Sequence, residues 1–174
     1  MPLNAALSVP LTTLTLAFAI LVATTSRAQD TSEIVGDPDR GKIVFRSVGY
    51  CVNCHGWAGD GKAGISPQSP VGADLRETAL DTAALTEVIG CGRPETAMPY
   101  HDRAAYRDGR CNGKAFSEFG AGMAPVRGKT FSDRDVANVV AFLQTHVIGQ
   151  GEPTREDCTW FYDNPTAAAC SGMD

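Results

Sequence analysis

The chain has 174 residues, a formal net charge of −5 and an ordinary apolar content of 43%. Its length is that of one domain with a modest core, and its composition indicates neither a disordered chain nor a protein with several membrane spans. The acidic balance argues against nucleic acid as a partner, because phosphate backbones are bound by surfaces rich in Lys and Arg.

An apolar segment lies near the N-terminus. Residues 11–22 form an apolar run, and Ser26-Arg27-Ala28 fits a small-x-small cleavage site. We therefore predict a signal peptide over residues 1–28, cleaved after Ala28, and a periplasmic location. The run is short for a membrane span, but no Lys or Arg precedes it. An uncleaved N-terminal anchor is the alternative, and only in that case do we expect a membrane attachment.

The next part of the chain predicts two helices. Asp37 and Pro38 mark the start of the first, because Asp favours the N-cap and Pro the first helical position. This helix is expected to run to about Val48. A second helical pattern begins at Asp81, carries apolar residues on one side and ends near Gly90.

The clearest helix is the last one. Ser132 and Asp135 have the spacing of a capping box, and apolar residues then recur at helical intervals over residues 136–147. Residues 56–72 are rich in Gly, Ser and Pro and are predicted to be loop. Residues 93–130 show no sustained periodicity, so no regular element is predicted there.

The sequence CVNCH at residues 51–55 is the C-x-x-C-H signature of covalent haem attachment. Cys51 and Cys54 would bond the two vinyl groups at one edge of the porphyrin, and His55 would bind the iron. Half of a zinc site and a redox-active cysteine pair are the alternatives. A structural zinc site needs four ligands, and no second C-x-x-C is present. A thioredoxin-like pair needs a strand–helix context that this sequence lacks.

Residues 37–148 resemble a class I, monohaem c-type cytochrome. The segments that carry the resemblance are CVNCHG, GDGKAG (59–64), EVIGCG, TAMP (96–99) and FSDRDVANVVAFL (131–143), in that order. The resemblance implies an all-α, cytochrome c-like fold, with a few helices around one covalently bound haem c and long irregular loops. It assigns residues 29–148 to the cytochrome c domain.

The resemblance also implies two packing features. The first and last helices of such cytochromes cross, often through an aromatic pair, for which Phe45 and Phe142 are the candidates. A proline carbonyl accepts a hydrogen bond from the second nitrogen of the iron-binding histidine, here His55. Pro67 and Pro70 both lie in the expected stretch, and the sequence does not decide between them.

The sixth iron ligand implied by the resemblance is a methionine. Met98 follows a helix and a glycine-rich turn and precedes Pro99, as in the family. Met123 lies within an enlarged loop over residues 100–128 and instead matches the family's short distance between this ligand and the last helix. The enlarged loop creates this conflict between the two methionines. His101 is the third candidate. We predict Met98, and the haem-binding set is then Cys51, Cys54, His55 and Met98.

Four further cysteines are expected to form disulfides in an exported protein. Four cysteines allow three pairings. Proximity along the chain favours Cys91 with Cys111, which ties the enlarged loop, and Cys158 with Cys170, which staples the C-terminal tail over residues 149–174.

The function implied is electron transfer without catalysis: a carrier that moves one electron at a time between redox proteins. The enlarged methionine loop and the extra disulfides resemble periplasmic acceptors of quinoprotein alcohol dehydrogenases, with a terminal oxidase or another cytochrome as the next acceptor. Two alternatives stay open. The first is a haem subunit of a larger oxidoreductase or respiratory complex. The second is a gas-binding sensor, which requires an open sixth iron position.

Overall fold

The computed structural model describes residues 34–62 and 68–173. The signal peptide expected over residues 1–28, its cleavage site and Pro67 lie outside these ranges. The helices are α1 (Pro38–Ile43), α2 (Val52–His55), α3 (Thr82–Cys91), α4 (Asp133–His146) and α5 (Arg155–Tyr162). The strands are β1 (Tyr100–Asp102) and β2 (Arg127–Phe131). No helix in the described part of the chain is both long and apolar enough to cross a membrane.

The first predicted helix is confirmed and continues through a change of pitch. Asp37 caps α1 by accepting hydrogen bonds from the amides of Asp39 and Arg40 at 2.9 and 3.1 Å. Beyond Ile43 the chain makes one π-helical turn, Val44–Val48. The helical segment therefore ends at the predicted residue, and the wide turn leads directly into the C-x-x-C-H motif.

Helix α4 crosses α1 and forms the centre of the core. The predicted capping box is present, with Ser132 and Asp135 each bonded to the other's backbone amide. The expected aromatic pair is confirmed, since the Phe45 and Phe142 rings lie 5.2 Å apart and both are 1% exposed. The crossing positions the π-helical turn and therefore the C-x-x-C-H motif that follows it.

The region predicted to be irregular contains a small parallel sheet, and the rest of the regular structure in the described residues is helical. Tyr100 of β1 pairs with Arg127 of β2 and Asp102 pairs with Phe131, with an irregular register between the two pairs. A strand of three residues is too short to show the period-two pattern by which strands are recognised. The fold is mostly helical and cytochrome c-like, and the two strands of this sheet lie at the two ends of the enlarged loop.

The enlarged loop has a small core of its own. The predicted Cys91–Cys111 disulfide is present and fully buried at Cys111. The Tyr106 hydroxyl donates a hydrogen bond to the carbonyl of Cys91 at 2.6 Å, and the Phe119 ring packs edge-on against Tyr106. The loop is therefore anchored to the end of α3.

The C-terminal tail contains a helix that was not predicted from the sequence. Helix α5 begins at a capping box formed by Thr154 and Asp157, a signal that was present in the sequence. The predicted Cys158–Cys170 disulfide is confirmed, and Phe161 joins the main core at 2% exposure. The tail thus packs on the crossing of α1 and α4.

Candidate haem site

One helical turn places the two cysteines and the histidine of the motif together. The His55 amide donates to the Cys51 carbonyl at 2.9 Å, which closes the turn that begins α2. Cys51 and Cys54 are three residues apart and therefore share a helix face, and both are free, unlike the four disulfide-bonded cysteines. Two free thiols on one face beside a histidine are the donor set that covalent haem attachment requires.

Burial disfavours the thiolate form of both motif cysteines. It raises the pKa of Cys51 to about 12, and it also raises the pKa of Cys54. A redox-active C-x-x-C pair or a nucleophilic cysteine instead depends on a lowered thiol pKa, because the thiolate is the reactive form. The electrostatics of the site therefore disfavour the redox-pair alternative.

The His55 ring is held so that one nitrogen remains available to a metal. The ring is 9% exposed, and its Nδ1 donates to the carbonyl of Ala73 at 2.8 Å. Burial lowers the pKa of His55, and the carbonyl contact opposes this only partly. The neutral ring then carries its proton on Nδ1 and presents the Nε2 lone pair, which is the form that binds iron.

The hydrogen-bond acceptor of His55 differs from the expected one. A proline carbonyl was expected, but the acceptor belongs to Ala73, and Pro70 contributes only to the wall of the cavity. Gly72 explains why the carbonyl of Ala73 is the acceptor. A Cβ atom at this position would lie 2.7 Å from His55 Nδ1, so only a glycine lets the backbone pass close enough for the next carbonyl to reach the ring.

These side chains line a cavity of about 330 Å³. Cys51, Cys54 and His55 contribute to its wall, and so does the segment from Thr96 to Pro99. Most of the remaining wall is apolar, and its aliphatic and aromatic members include Phe45, Leu75, Leu80, Leu85, Val88, Ile89, Val139 and Leu143. A mostly apolar cavity lined by two thiols and an imidazole fits haem c.

The three candidates for the sixth iron ligand occupy different environments. Met98 lines the cavity and is half-buried, and its amide is held by the Thr96 hydroxyl at 3.1 Å. Met123 is 40% exposed and does not contribute to this wall. His101 lines the cavity and is only 4% exposed. The folded chain therefore brings Met98 and His101, but not Met123, into the same cavity as His55.

The described residues offer no alternative metal centre. Within residues 34–62 and 68–173, no three His, Cys, Asp or Glu side chains lie close enough together to hold a metal ion. The zinc alternative for the C-x-x-C-H motif thus finds no partner ligands in this part of the chain.

Part of the chain matches a known protein family. Residues 36–116, just under half of the chain, match the family described as cytochrome c oxidase, cbb3-type, subunit III. No curated protein matches the sequence. Among solved structures, the crystal structure of SoxXA from P. pantotrophus is 21% identical, with 64% of this chain and 82% of that chain covered and a TM-score of 0.39. The family match over residues 36–116 supports a c-type cytochrome domain with covalently bound haem c, in agreement with the C-x-x-C-H turn and the cavity.

Proposed function

We propose that this protein is an exported, periplasmic one-electron carrier whose haem iron is bound by His55 and Met98. The observation that carries the proposal is the cavity that His55 and Met98 share, with the two attachment cysteines beside His55. When bound, haem supplies a centre that alternates between ferric and ferrous iron. A thioether ligand favours the ferrous state and raises the reduction potential.

The protein's own residues would hold that centre still. The Ala73 carbonyl orients the His55 ring at 2.8 Å, and the apolar wall excludes water from the iron. The Thr96 hydroxyl holds the Met98 amide at 3.1 Å. A site whose ligands are fixed by the fold changes geometry little on reduction, which favours rapid electron transfer and requires no catalytic residue.

The partners are proposed to be redox proteins. The enlarged loop tied by Cys91–Cys111 supports a donor of the quinoprotein dehydrogenase type, by resemblance to the acceptors of those enzymes. A second candidate is a haem subunit of a larger oxidoreductase, because the family that matches residues 36–116 is described as an oxidase subunit. Copurification from the native membrane and periplasmic fractions separates them: a fixed stoichiometry with other subunits indicates the complex, and a free monohaem protein indicates the carrier.

Two experiments test the haem assignment. Covalent attachment predicts that the denatured protein keeps its haem through acid–acetone extraction, and that its mass exceeds the polypeptide mass by one haem. Cys51→Ala and Cys54→Ala should each weaken this attachment. Transfer of the haem of the unaltered protein into the organic phase would refute the assignment.

The methionine ligand is tested by absorption spectroscopy of the oxidised protein. Thioether-bound ferric haem has a weak long-wavelength charge-transfer band, which should be present in the unaltered protein and lost in Met98→Ala. Met123→Ala is the matched control and should retain the band, because that side chain lies outside the cavity wall. Loss of the band in Met123→Ala alone would transfer the ligand role to Met123.

A further inference from the structure

His101 is a buried histidine in the haem cavity to which the proposed function assigns no role. It is the central residue of β1 and is 4% exposed. Its ring stacks on Phe131 of β2 with centroids 4.1 Å apart and planes 7° from parallel. Its Nδ1 lies 2.7 Å from the Lys129 carbonyl, so Nδ1 donates and Nε2 keeps its lone pair. The small sheet therefore fixes the orientation of this ring.

The support of His101 repeats the support of His55. A Cβ atom at Gly72 would lie 2.7 Å from Nδ1 and 2.9 Å from Cε1 of His55. A Cβ atom at Gly128 would lie 2.7 Å from Cε1 and 2.9 Å from Nδ1 of His101. In both cases the residue after the glycine supplies the carbonyl that accepts from Nδ1. A backbone carbonyl on one ring nitrogen is the usual support of a metal-binding histidine.

The second histidine shares the cavity with the proposed iron ligands. His101 lies three residues after Met98, and both line the cavity that also contains His55. Any buried imidazole needs an acceptor for its ring N–H, and the Lys129 carbonyl meets this need at Nδ1, which leaves the Nε2 lone pair for a ligand role. The position of the ring in the cavity and its hydrogen bond are those of a metal ligand. His101 is also more fully buried than Met98.

We propose that His101 is a reserve ligand for the haem iron, whose Nε2 takes the sixth position when the Met98 thioether leaves it. This inference rests on the proposed haem site. It has two consequences. The His101 imidazole would then fill the position that the thioether leaves and compete there with small gases such as carbon monoxide. The potential falls in the exchanged state, because the thioether is the ligand that raises it.

The test uses three variants of the full, haem-loaded protein. Met98→Ala removes the thioether. Met98→Ala with His101→Phe also removes the second imidazole but retains an aromatic ring to stack on Phe131. Met98→Ala with His146→Phe is the matched control, because His146 stacks on Trp160 at 4.2 Å and does not line the cavity. Spin state is measured by electron paramagnetic resonance of the ferric form, and carbon monoxide affinity by titration of the ferrous form.

We expect Met98→Ala to remain low-spin, with two imidazole ligands. It should bind carbon monoxide at least about tenfold more weakly than the Met98→Ala, His101→Phe variant. An internal ligand leaves the site open in only a fraction of the molecules, and the apparent affinity for carbon monoxide falls in proportion to that fraction. The His146 control should behave like Met98→Ala. A high-spin Met98→Ala protein would overturn the proposal, and this spin-state measurement needs only the single variant to fold. Equal carbon monoxide affinities of the single variant and the Met98→Ala, His101→Phe variant would also overturn it.

Failure of the Met98 assignment would give a different pattern. If the unaltered protein lacks the thioether band and Met98→Ala does not alter its spectrum, Met98 is not the resident ligand. His101→Phe alone then decides the present proposal. A change from low to high spin in that variant supports His101 as an iron ligand, and an unchanged spectrum overturns it.

Discussion

The crossing of α1 and α4 depends on the absence of a side chain at Gly41. A Cβ atom at this position would lie 1.9 Å from the Asn138 carbonyl oxygen and 2.6 Å from the Phe142 Cβ. Ordinary contact begins near 3.4 Å, so Gly41→Ala would force the two helices apart by about 1.5 Å. Gaps of about 0.5–1 Å already remove a quarter to a half of the dispersion attraction between facing atoms.

The expected loss is the difference between two opposing effects. Overpacking of a core costs about 1–3 kcal/mol, and the size of this overlap places Gly41→Ala at the upper end. Replacing Gly by Ala within a helix returns up to about 1 kcal/mol of helix propensity. We therefore expect a net decrease of about 2 kcal/mol in the free energy of unfolding.

Gly90 in α3 provides the matched control. A Cβ atom there would meet only Asp102 Cβ, at 3.7 Å, which is ordinary contact. Gly90→Ala should therefore keep the propensity gain and stabilise the protein by up to about 1 kcal/mol. Guanidinium unfolding of the haem-loaded, disulfide-intact variants gives both values. Equal stabilisation by the two substitutions would refute the reasoning.

Three other predictions concern the core and its ties, and each is read from chemical denaturation of the haem-loaded protein. Phe142→Ala should cost about 3–5 kcal/mol, because the ring is almost fully buried; a loss below about 1 kcal/mol would contradict its place in the core. Replacing Cys91 and Cys111 together by Ala should cost about 3 kcal/mol, since the disulfide closes a loop of 20 residues; an unchanged midpoint would show that the loop is held without it. The Lys42 ammonium lowers the pKa of Asp163 below its ordinary value of 3.8. The ion pair therefore adds to the free energy of unfolding above that value, and this contribution is lost as the pH falls through the lower folded-state pKa. Asp163→Asn should flatten the pH dependence of stability in this range, and an unaltered dependence would refute the prediction.

Sequence alone determined the features that depend on neighbouring residues. Asp37 and Ser132 predict helix starts because a capping side chain bonds amides two or three residues ahead. The C-x-x-C-H turn brings Cys51, Cys54 and His55 together without help from the rest of the fold. The two disulfides were predictable for a related reason, since each joins cysteines separated by only 20 or 12 residues.

Only the tertiary structure decided which distant groups meet in the cavity. The acceptor of His55 is the Ala73 carbonyl, and nothing in the residue types distinguishes that carbonyl from those of the neighbouring prolines. His101 reaches the cavity wall because β1 pairs with β2 across 27 residues, a pairing that three residues of strand pattern could not reveal. Backbone carbonyls are chemically alike, and their positions depend on how the whole chain packs. The identity of the haem-binding motif is therefore local, whereas the environment of the iron is a property of the folded chain.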